Sequence, residues 1–245
     1  MKEHSLPSLA IIAPCLNEEA VIDISLQKLL RVLLDLSQKS LINLEQSKIL
    51  VVDDGSSDQS WSILKKIHSS EPKVNCIKLS RNFGHQNALL AGILHSSEDV
   101  VITIDIDLQD DTEVIEKMLN QHSAGSEIVL GVKEDRTADG FIKNFFAATF
   151  YKIISVLGTR VVKNHADFRL LSKKAVTSLR EFKEYDIYLR GIIPLLGLKS
   201  TTIKYSLQSR ISGEAKYGFK ESLALALKGI TSFSLVPLRV IGILG

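Results

Sequence analysis

Cysteine is scarce in this sequence, and the two cysteines that occur are far apart. Cys15 and Cys76 form no CxxC pair and have no metal-ligand spacing. This pattern argues against a disulfide framework and a zinc site, and it indicates a reducing compartment. An excess of one charge is also lacking, since 30 Lys and Arg residues stand against 28 Asp and Glu residues. The near balance gives no reason to expect a nucleic-acid partner.

Several common signatures are absent as well. The apolar run near the N-terminus is too short for a secretory signal and no cleavage-site pattern follows it, so we expect the chain to begin in the cytoplasm. No GxGxxG follows the first apolar run, which disfavours a dinucleotide site of the Rossmann type. No GxxxxGK[ST] is present either, which excludes a P-loop. Any phosphate that binds here must be held by other groups.

What the 245 residues do contain is a regular alternation of short apolar runs with helical patterns. This alternation predicts an α/β fold with a doubly wound, mainly parallel sheet and right-handed crossovers. The predicted strands are Leu9 to Ala13, 47 to 54, Val74 to Leu79, Val100 to Ile104, 127 to 132 and Lys199 to Ser206. The predicted helices include Gln86 to Ser96, Lys173 to Leu179 and Ile187 to Leu196, the last of them up to Pro194.

The clearest candidate site follows the strand that begins at Val100, where the chain reads DIDLQD. In open α/β sheets ligands bind outside the carboxyl ends of the strands, where Asp105, Asp107, Gln109 and Asp110 stand. Asp105 and Asp107 lie on the same side if the chain stays extended. Clustered carboxylates repel one another, and a divalent cation that also holds phosphate oxygens relieves this repulsion. The sequence therefore predicts a metal-bound diphosphate.

A purely structural explanation of these acids is that they begin the next helix. Glu113 and Glu116 occupy first-turn positions, so we expect Asp110 or Asp111 to cap a helix that begins near Thr112. Capping explains only one of the acids, and it leaves Asp105 and Asp107 unexplained.

The later part of the chain combines aromatic, polar and basic segments. Residues 139–157 are amphipathic and rich in Phe, which fits either a helix packed on the sheet or a surface that meets lipid. Residues 207–218 are polar and punctuated by glycine, and they predict a mobile loop that carries Arg210 and Lys216.

The C-terminal residues indicate contact with a membrane. Residues 219–230 form a basic amphipathic pattern, and 233–245 follow as an apolar run of 13 residues. That run is shorter than the ~20 residues needed to span a bilayer, so it is either the start of a membrane segment or an interfacial segment. We therefore expect a globular domain over 1–218 and a juxtamembrane segment over 219–245.

Several motifs, taken together, resemble family 2 glycosyltransferases of the GT-A fold. The resemblance is to the branch with polyisoprenyl-phosphate acceptors, which includes bactoprenol glucosyltransferases and dolichyl-phosphate mannosyltransferases. The motifs occur in family order and span nearly the whole chain. They are PCLNEE at 14–19, VVDDGSSD at 51–58, LSRNFGHQNAL at 79–89, DIDLQD at 105–110, HADFRLL at 165–171 and SGEAKYG at 212–218.

The resemblance implies a role for each matching residue. Asp107 and Gln109 would hold Mg²⁺ or Mn²⁺, and Asp105, Asp107, Asp167, Arg169, Arg210 and Lys216 would form the catalytic site. Asp167 is expected to orient Arg169 or the acceptor. Lys133 is a looser addition, and His165 stands with Asp167 and Arg169 beside the acceptor. The nucleotide sugar would contact Pro14, Leu16, Glu18, Val52, Asp54, Arg81, Asp105, Ile106, Arg136, Arg210 and Lys216.

Three positions depart from the family pattern. Leu16 stands where an aromatic residue often stacks on the base, Asp111 and Thr112 replace a Pro-Pro pair, and Ala215 replaces a serine. No proposed metal ligand is lost, but the change at Leu16 weakens any inference about which base binds.

The resemblance implies inverting transfer of a hexose from a nucleotide sugar to a polyprenyl phosphate at the cytoplasmic face of the membrane. UDP-glucose is the favoured donor and undecaprenyl phosphate the favoured acceptor. The alternatives are a mannosyltransferase that uses GDP-mannose and a non-catalytic scaffold that binds nucleotide sugars. A nucleotidyltransferase, like the scaffold, ranks below glycosyl transfer, because PCLNEE is acidic where such enzymes have a basic glycine-rich loop. The resemblance also implies transmembrane helices beyond Gly245. Assembly into a homo-oligomer stays open.

Overall fold

The computed structural model describes residues 6–134, 165–182 and 188–207. The first part of the chain alternates strands and helices. Its elements are β1 (Leu9–Cys15), α1 (Ile22–Gln38), β2 (Lys48–Asp53), α2 (Ser60–Ser70), β3 (Val74–Lys78), α3 (His85–His95), β4 (Val100–Thr103), α4 (Val114–Ser123) and β5 (Ile128–Lys133). The later elements are β6 (His165–Ser172), α5 (Lys173–Arg180), α6 (Leu189–Leu195) and β7 (Ser200–Tyr205).

The strands form one sheet of seven strands in the order β3-β2-β1-β4-β6-β5-β7. Strands β3, β2, β1 and β4 run parallel, and β5 pairs in parallel with β7. Strand β6 lies between β4 and β5 and is antiparallel to both. The predicted doubly wound, mainly parallel sheet is therefore confirmed, and one antiparallel strand interrupts it.

Both faces of the sheet are covered, and the alternation of side chains along β1 shows how. Every residue of β1 is buried, with Leu9 and Ile11 on one face and Ala10 and Ile12 on the other. Apolar residues of α1, α2 and α4 pack on the first face, and those of α3, α5 and α6 pack on the second. Because β1 is buried on both sides, its sequence is continuously apolar instead of alternating.

Most element bounds lie within two residues of those expected from the sequence. The expected helix from Ile187 begins at Leu189 and includes Pro194, so the proline lies inside the last turn. Trp61 in α2 is half-buried and packs against the core, and the Lys78 Nζ atom lies 5.4 Å from its ring centroid.

No helix among the described residues is long and apolar enough to cross a membrane. The segments expected to meet lipid, 139–157 and 219–245, lie outside the described residues. The predicted boundary at 218 lies outside them as well, and it stays a prediction.

Candidate active site

The candidate site lies where the parallel strands β1, β2 and β4 end. Cys15 pairs with Asp53 at the ends of β1 and β2, and Ile12 pairs with Thr103 at the end of β4. The acidic segments that follow β2 and β4 therefore leave the sheet at the same edge. This is the place where open α/β sheets bind ligands.

The chain does not stay extended after β4, which corrects one expectation. The Leu108 N–H donates to the Asp105 carbonyl oxygen at 3.1 Å, and Leu108 has a φ of 48°. Asp107 Oδ1 accepts the N–H of Gln109 at 3.3 Å. The chain thus turns at 105–108, and it buries Ile106 and Leu108 while Asp105, Asp107 and Gln109 stay partly exposed.

The carboxylates of this turn are close enough to influence one another. Burial raises the pKa of Asp105, with His85 and Lys133 opposing the rise and Asp167 and Asp107 adding to it. Burial also raises the pKa of Asp110, to about 6, and the charges of Asp105 and Asp107 contribute. The segment therefore concentrates negative charge that a bound cation would relieve.

The N-cap of α4 is Glu113, without a side-chain hydrogen bond, so the expectation that Asp110 or Asp111 caps this helix is wrong. Asp110 makes other contacts. Its Oδ1 atom accepts a hydrogen bond from the Tyr205 hydroxyl at 2.5 Å and lies 4.0 Å from Lys133 Nζ. Asp111 is the acid near the helix start, because its carboxylate accepts the N–H of Glu113 at 3.0 Å. Asp110 belongs to the charged cluster.

The residues of the turn fit a divalent ion that takes most of its ligands from a diphosphate and water. The Asp105 Oδ1 atom is buried and has no hydrogen-bond partner among the described residues. Within that same part of the chain, no three His, Cys, Asp or Glu side chains are arranged as a metal site. Mg²⁺ commonly binds through one or two carboxylates and substrate phosphates. Asp107 and Gln109 therefore stay the predicted ligands.

The predicted nucleoside contacts lie beside this turn. Pro14 and Val52 are buried in their strands, Leu16 and Glu18 are half-buried, and Asp54 is buried. The loop after β1 is joined to the loop after β2 by hydrogen bonds. These run from Asn17 N to Ser56 Oγ at 2.9 Å, from Ser57 N to Asn17 Oδ1 at 2.8 Å and from Glu18 N to Ser60 Oγ at 2.9 Å.

Asp54 holds a second turn, at residues 81–84, in place. Its Oδ1 atom accepts the N–H of Phe83 at 2.7 Å, and its Oδ2 atom accepts the N–H of Gly84 at 2.9 Å. Burial raises the pKa of Asp54, although these two hydrogen bonds oppose the rise. The exposed Arg81 guanidinium lies 4.0 Å from the ring centroid of Phe83. Asp54 therefore fixes the turn that leads into α3.

Replacing Gly55 with alanine is expected to disrupt this region. Gly55 has a φ of +75°, and a Cβ atom there would lie 2.5 Å from the Arg81 carbonyl carbon and 2.7 Å from the Asn82 nitrogen. The contacted atoms belong to the backbone and cannot move aside as the end of a side chain could. We therefore expect a loss of about 2–4 kcal/mol in the free energy of unfolding. Urea denaturation measures this loss.

Gly197→Ala is the matched control for that variant. Gly197 has a φ of +67°, and a Cβ atom there meets nothing within 4 Å. It should lose about 1 kcal/mol through the backbone conformation alone. Equal losses in the two variants would contradict the close contact between Gly55 and the 81–84 turn.

Asp167 lies at the centre of the other half of the site. Its Oδ1 atom accepts hydrogen bonds from Arg169 Nη2, from Gln86 Nε2 at 3.0 Å and from Arg190 Nε at 3.2 Å. Its Oδ2 atom accepts from Arg190 Nη2 at 2.8 Å and lies 3.4 Å from His85 Nε2. Burial opposes the charge, but Arg190 and Arg169 outweigh it and hold the pKa of Asp167 well below its usual value. A carboxylate held in this way is a poor base, which fits the orienting role expected for Asp167.

His85 joins the two halves of the site. Its Nε2 atom lies 3.4 Å from Asp167 Oδ2 and 3.5 Å from Asp105 Oδ1. Burial alone would lower the pKa of His85, but the two carboxylates raise it. The structure thus places Asp105, Asp167 and Arg169 in one cluster, with Asp107 in the same turn as Asp105. Arg136, Arg210 and Lys216 lie outside the described residues.

Sequence reasoning missed four residues of this site. His85 and Gln86 lie in the quoted motif at 79–89 but received no role, and polar residues that begin a helix after a strand could have marked them. Tyr205 and Arg190 left no local signal, because they reach Asp110 and Asp167 only through the fold.

Comparisons with known proteins agree with this geometry. The model of the family described as "Glycosyl transferase family 2" matches residues 10–179. The chain is 43% identical over 246 aligned positions to an uncharacterized glycosyltransferase, YkoT, of Bacillus subtilis (strain 168), covering 99% of this chain and 72% of that protein. It is 35% identical to the bactoprenol glucosyl transferase of Shigella phage SfX, covering 95% of this chain and 74% of that protein.

Solved structures give the same fold at much lower identity. The mannosyltransferase PcManGT from Pyrobaculum calidifontis, in complex with GDP-Man and Mn²⁺, superposes with a TM-score of 0.60 at 15% identity, covering 93% of this chain and 64% of that one. Glucosyl-3-phosphoglycerate synthase from Mycobacterium tuberculosis, in complex with Mn²⁺, UDP and phosphoglyceric acid, also has a TM-score of 0.60 at 15% identity. That alignment covers 91% of this chain and 76% of the synthase chain. At such identities the likeness shows the fold alone, and it confirms the expected GT-A-like architecture.

Proposed function

The chain belongs to glycosyl transferase family 2, and we propose that it transfers a hexose from a nucleotide sugar to a polyprenyl phosphate. UDP-glucose is the proposed donor and undecaprenyl phosphate the proposed acceptor, at the cytoplasmic face of the membrane. Its membership of the family makes it a glycosyltransferase, as the motifs predicted. The observation that carries the finer proposal is the 35% identity over 95% of the chain to a bactoprenol glucosyl transferase.

The geometry of the strand ends supports donor binding. The loops after β1 and β2 form a joined platform beside Asp54, and the turn at 105–110 lies next to them at the carboxyl end of β4. A nucleoside on the first and a diphosphate on the second would span the length of one donor. We propose that Pro14, Leu16, Glu18, Val52, Asp54 and Arg81 contact the nucleoside, and that Asp105 and Ile106 contact the nucleotide.

Asp107 and Gln109 are the proposed ligands of Mg²⁺ or Mn²⁺. When bound, the ion neutralises the charge that develops on the nucleoside diphosphate as the glycosidic bond breaks. Lys133 stands 4.0 Å from Asp110 Oδ1 and brings a cation to the same cluster. Arg136, Arg210 and Lys216 are proposed as further cations on the diphosphate and on the acceptor phosphate.

The acceptor does not need a strong general base. A lipid monophosphate is already an anionic nucleophile at neutral pH, so attack on the sugar needs orientation more than proton removal. The Asp167 cluster, with Arg169 and Arg190 fixed on one carboxylate, supplies a rigid wall beside Asp105. Such a wall would hold the acceptor and exclude water from the reacting sugar.

Segments outside the described residues complete the proposal. The basic amphipathic residues 219–230 and the apolar residues 233–245 would place the site at the bilayer surface, where the tail of the acceptor lies. Charge attracts this part of the chain to anionic lipid, and apolar area holds it there.

Donor binding is the first test of this proposal. Calorimetry with UDP-glucose, UDP-galactose, UDP-N-acetylglucosamine and GDP-mannose should give binding of one donor with Mg²⁺ or Mn²⁺, and chelator should remove it. Undecaprenyl phosphate in detergent should then accept the labelled sugar of that donor. Preference for GDP-mannose would move the assignment to a mannosyltransferase. Donor binding without transfer to any polyprenyl phosphate would favour the scaffold.

A further inference from the structure

We propose that His85 is a positioning residue, through which the Asp167 cluster holds the Asp105 carboxylate in place against the donor. This inference rests on the proposed function, because it assigns Asp105 to the donor's nucleotide. His85 itself does not touch the donor in this scheme. It acts on Asp105 alone.

The Asp167 carboxylate is held rigidly by its hydrogen bonds. Its carboxylate receives hydrogen bonds from Arg169, Arg190 and Gln86, which come from β6, α6 and α3. The side chain of Arg169 has no exposed surface, and that of Asp167 is only 8% exposed. Three elements thus fix one carboxylate, so its free edge toward His85 is fixed as well.

The His85 ring lies close to the carboxylates of Asp167 and Asp105. Its Nε2 atom lies 3.4 Å from Asp167 and 3.5 Å from Asp105 Oδ1, and its side chain is 23% exposed. The side chain of His85 is hydrogen-bonded to Asp167, and its charge, when the ring is protonated, also interacts with Asp105. Besides these two carboxylates, the charged groups that interact with the ring include Arg190 and Asp54. An imidazolium between two carboxylates removes their mutual repulsion and sets their separation.

Among the described residues, Asp105 has few other contacts that would hold its side chain in place. Its Oδ1 atom has no hydrogen-bond partner among the described residues, and its side chain is 40% exposed. Because the residues after it form a turn and not a strand, backbone pairing does not fix the direction of this side chain. The nearby Nε2 atom of His85 is therefore the contact that orients it.

His85 is also connected to the nucleoside side of the site. His85 is the first residue of α3 and follows Gly84, whose N–H donates to Asp54 Oδ2 at 2.9 Å. The Asp54 carboxylate thus sets where α3 begins, and the first side chain of α3 reaches Asp105. The start of α3 thus joins the loop after β2, which is proposed to contact the nucleoside, to the turn at 105–108, which is proposed to contact the diphosphate.

The kinetic test compares His85→Ala, His85→Gln and Asn87→Ala. His85→Ala should lower kcat about 100-fold while donor affinity by calorimetry changes far less, because a misplaced group near the chemistry acts mainly on the rate. His85→Gln should recover part of the rate, since its amide N–H can reach the same carboxylates. Asn87 also begins α3 and donates to the Phe83 carbonyl oxygen at 2.8 Å, so Asn87→Ala disturbs the turn without touching the bridge.

Each outcome of that comparison decides the proposal. A wild-type rate in His85→Ala would overturn it. Equal losses in His85→Ala and Asn87→Ala would assign His85 to the turn alone and would also overturn it. If donor affinity in His85→Ala falls by as large a factor as kcat, His85 is a donor contact and not a positioning residue.

An NMR titration tests the bridge without any assay of transfer. Asp105→Asn should lower the pKa of His85, because one of the two carboxylates at its ring becomes neutral. The ring of His122, bonded through Nδ1 to the Ser126 carbonyl oxygen at 2.8 Å, is the internal control in the same spectrum. An unchanged His85 signal would overturn the proposal. A failure to transfer any sugar would overturn the proposed function while leaving this measurement valid.

Discussion

Replacing Asp107 with alanine is expected to abolish sugar transfer and metal-dependent donor binding together. Asp107 lies in the turn after β4, where its Oδ1 atom accepts the N–H of Gln109. Its removal takes away a proposed metal ligand and loosens the turn that carries the other. Loss of charge stabilisation at a reacting centre typically costs about 10²–10³-fold in rate, and loss of the ion adds to this. We therefore expect a decrease of at least about 10³-fold.

Calorimetry and a transfer assay on the same preparation measure both effects. Asp111→Ala is the matched control, because it removes a neighbouring carboxylate that accepts the N–H of Glu113 at the start of α4. It should keep donor binding and transfer. Normal turnover in Asp107→Ala would refute the metal assignment. Loss of turnover with intact metal-dependent binding would move Asp107 from metal binding to the chemical step.

Replacing Asp167 with alanine is expected to cause the largest loss of stability. Arg169 is fully buried, and its Nη2 atom donates to the Asp167 carboxylate, while its Nε atom donates to the Asp167 carbonyl oxygen. Removing one partner of a buried ion pair leaves an uncompensated charge, which typically costs about 3–5 kcal/mol. For a chain of this size the melting temperature should fall by roughly 10 °C. Thermal unfolding followed by circular dichroism measures the change.

A surface ion pair provides the control. Lys39 and Glu116 lie 2.6 Å apart with side chains that are 55% and 38% exposed. Lys39→Ala should leave the melting temperature unchanged, because exposed pairs contribute little. An equal melting temperature for Asp167→Ala and the wild type would mean that the arginines find other partners, and it would contradict the role of Asp167 as their anchor.

The pH dependence of the Asp167 contribution has a definite direction. The pKa of Asp167 lies well below its usual value of 3.8 in the folded state. Its contribution is therefore fully present above the unfolded value and is lost as the pH falls through the lower, folded value. The difference in the free energy of unfolding between the wild type and Asp167→Ala should be constant from neutral pH down to about pH 4, and it should decrease only below that pH.

The sequence predicted the parallel part of the sheet well, because each buried strand is a continuous apolar run followed by a helical pattern. It did not predict that β6 is antiparallel. Half of the residues of β6, HADFRLLS, are apolar, and this composition would suit either direction. The direction depends on the sheet neighbours β4 and β5, which no local pattern specifies.

The candidate site shows the same division between local and long-range information. Asp105 and Asp107 could be found from their position at a strand end, where apolar sequence changes abruptly to carboxylates. The partners of Asp167 could not, because Arg190 is 23 residues away and Gln86 is 81 residues away in sequence. Even for Asp105, the sequence suggested an extended segment, and only the structure shows the turn that Leu108 makes possible with its positive φ.

The pairing of β5 with β7 brings two parts of the chain that are distant in sequence to the acidic turn. Lys133 and Tyr205 are partners at the ends of these strands, and the Tyr205 hydroxyl is bonded to Asp110. In sequence, Arg136 follows Lys133 by three positions and Arg210 follows Tyr205 by five. The entropic cost of bringing residues 133 and 205 together is therefore met when the sheet folds, and not when a ligand binds beside them.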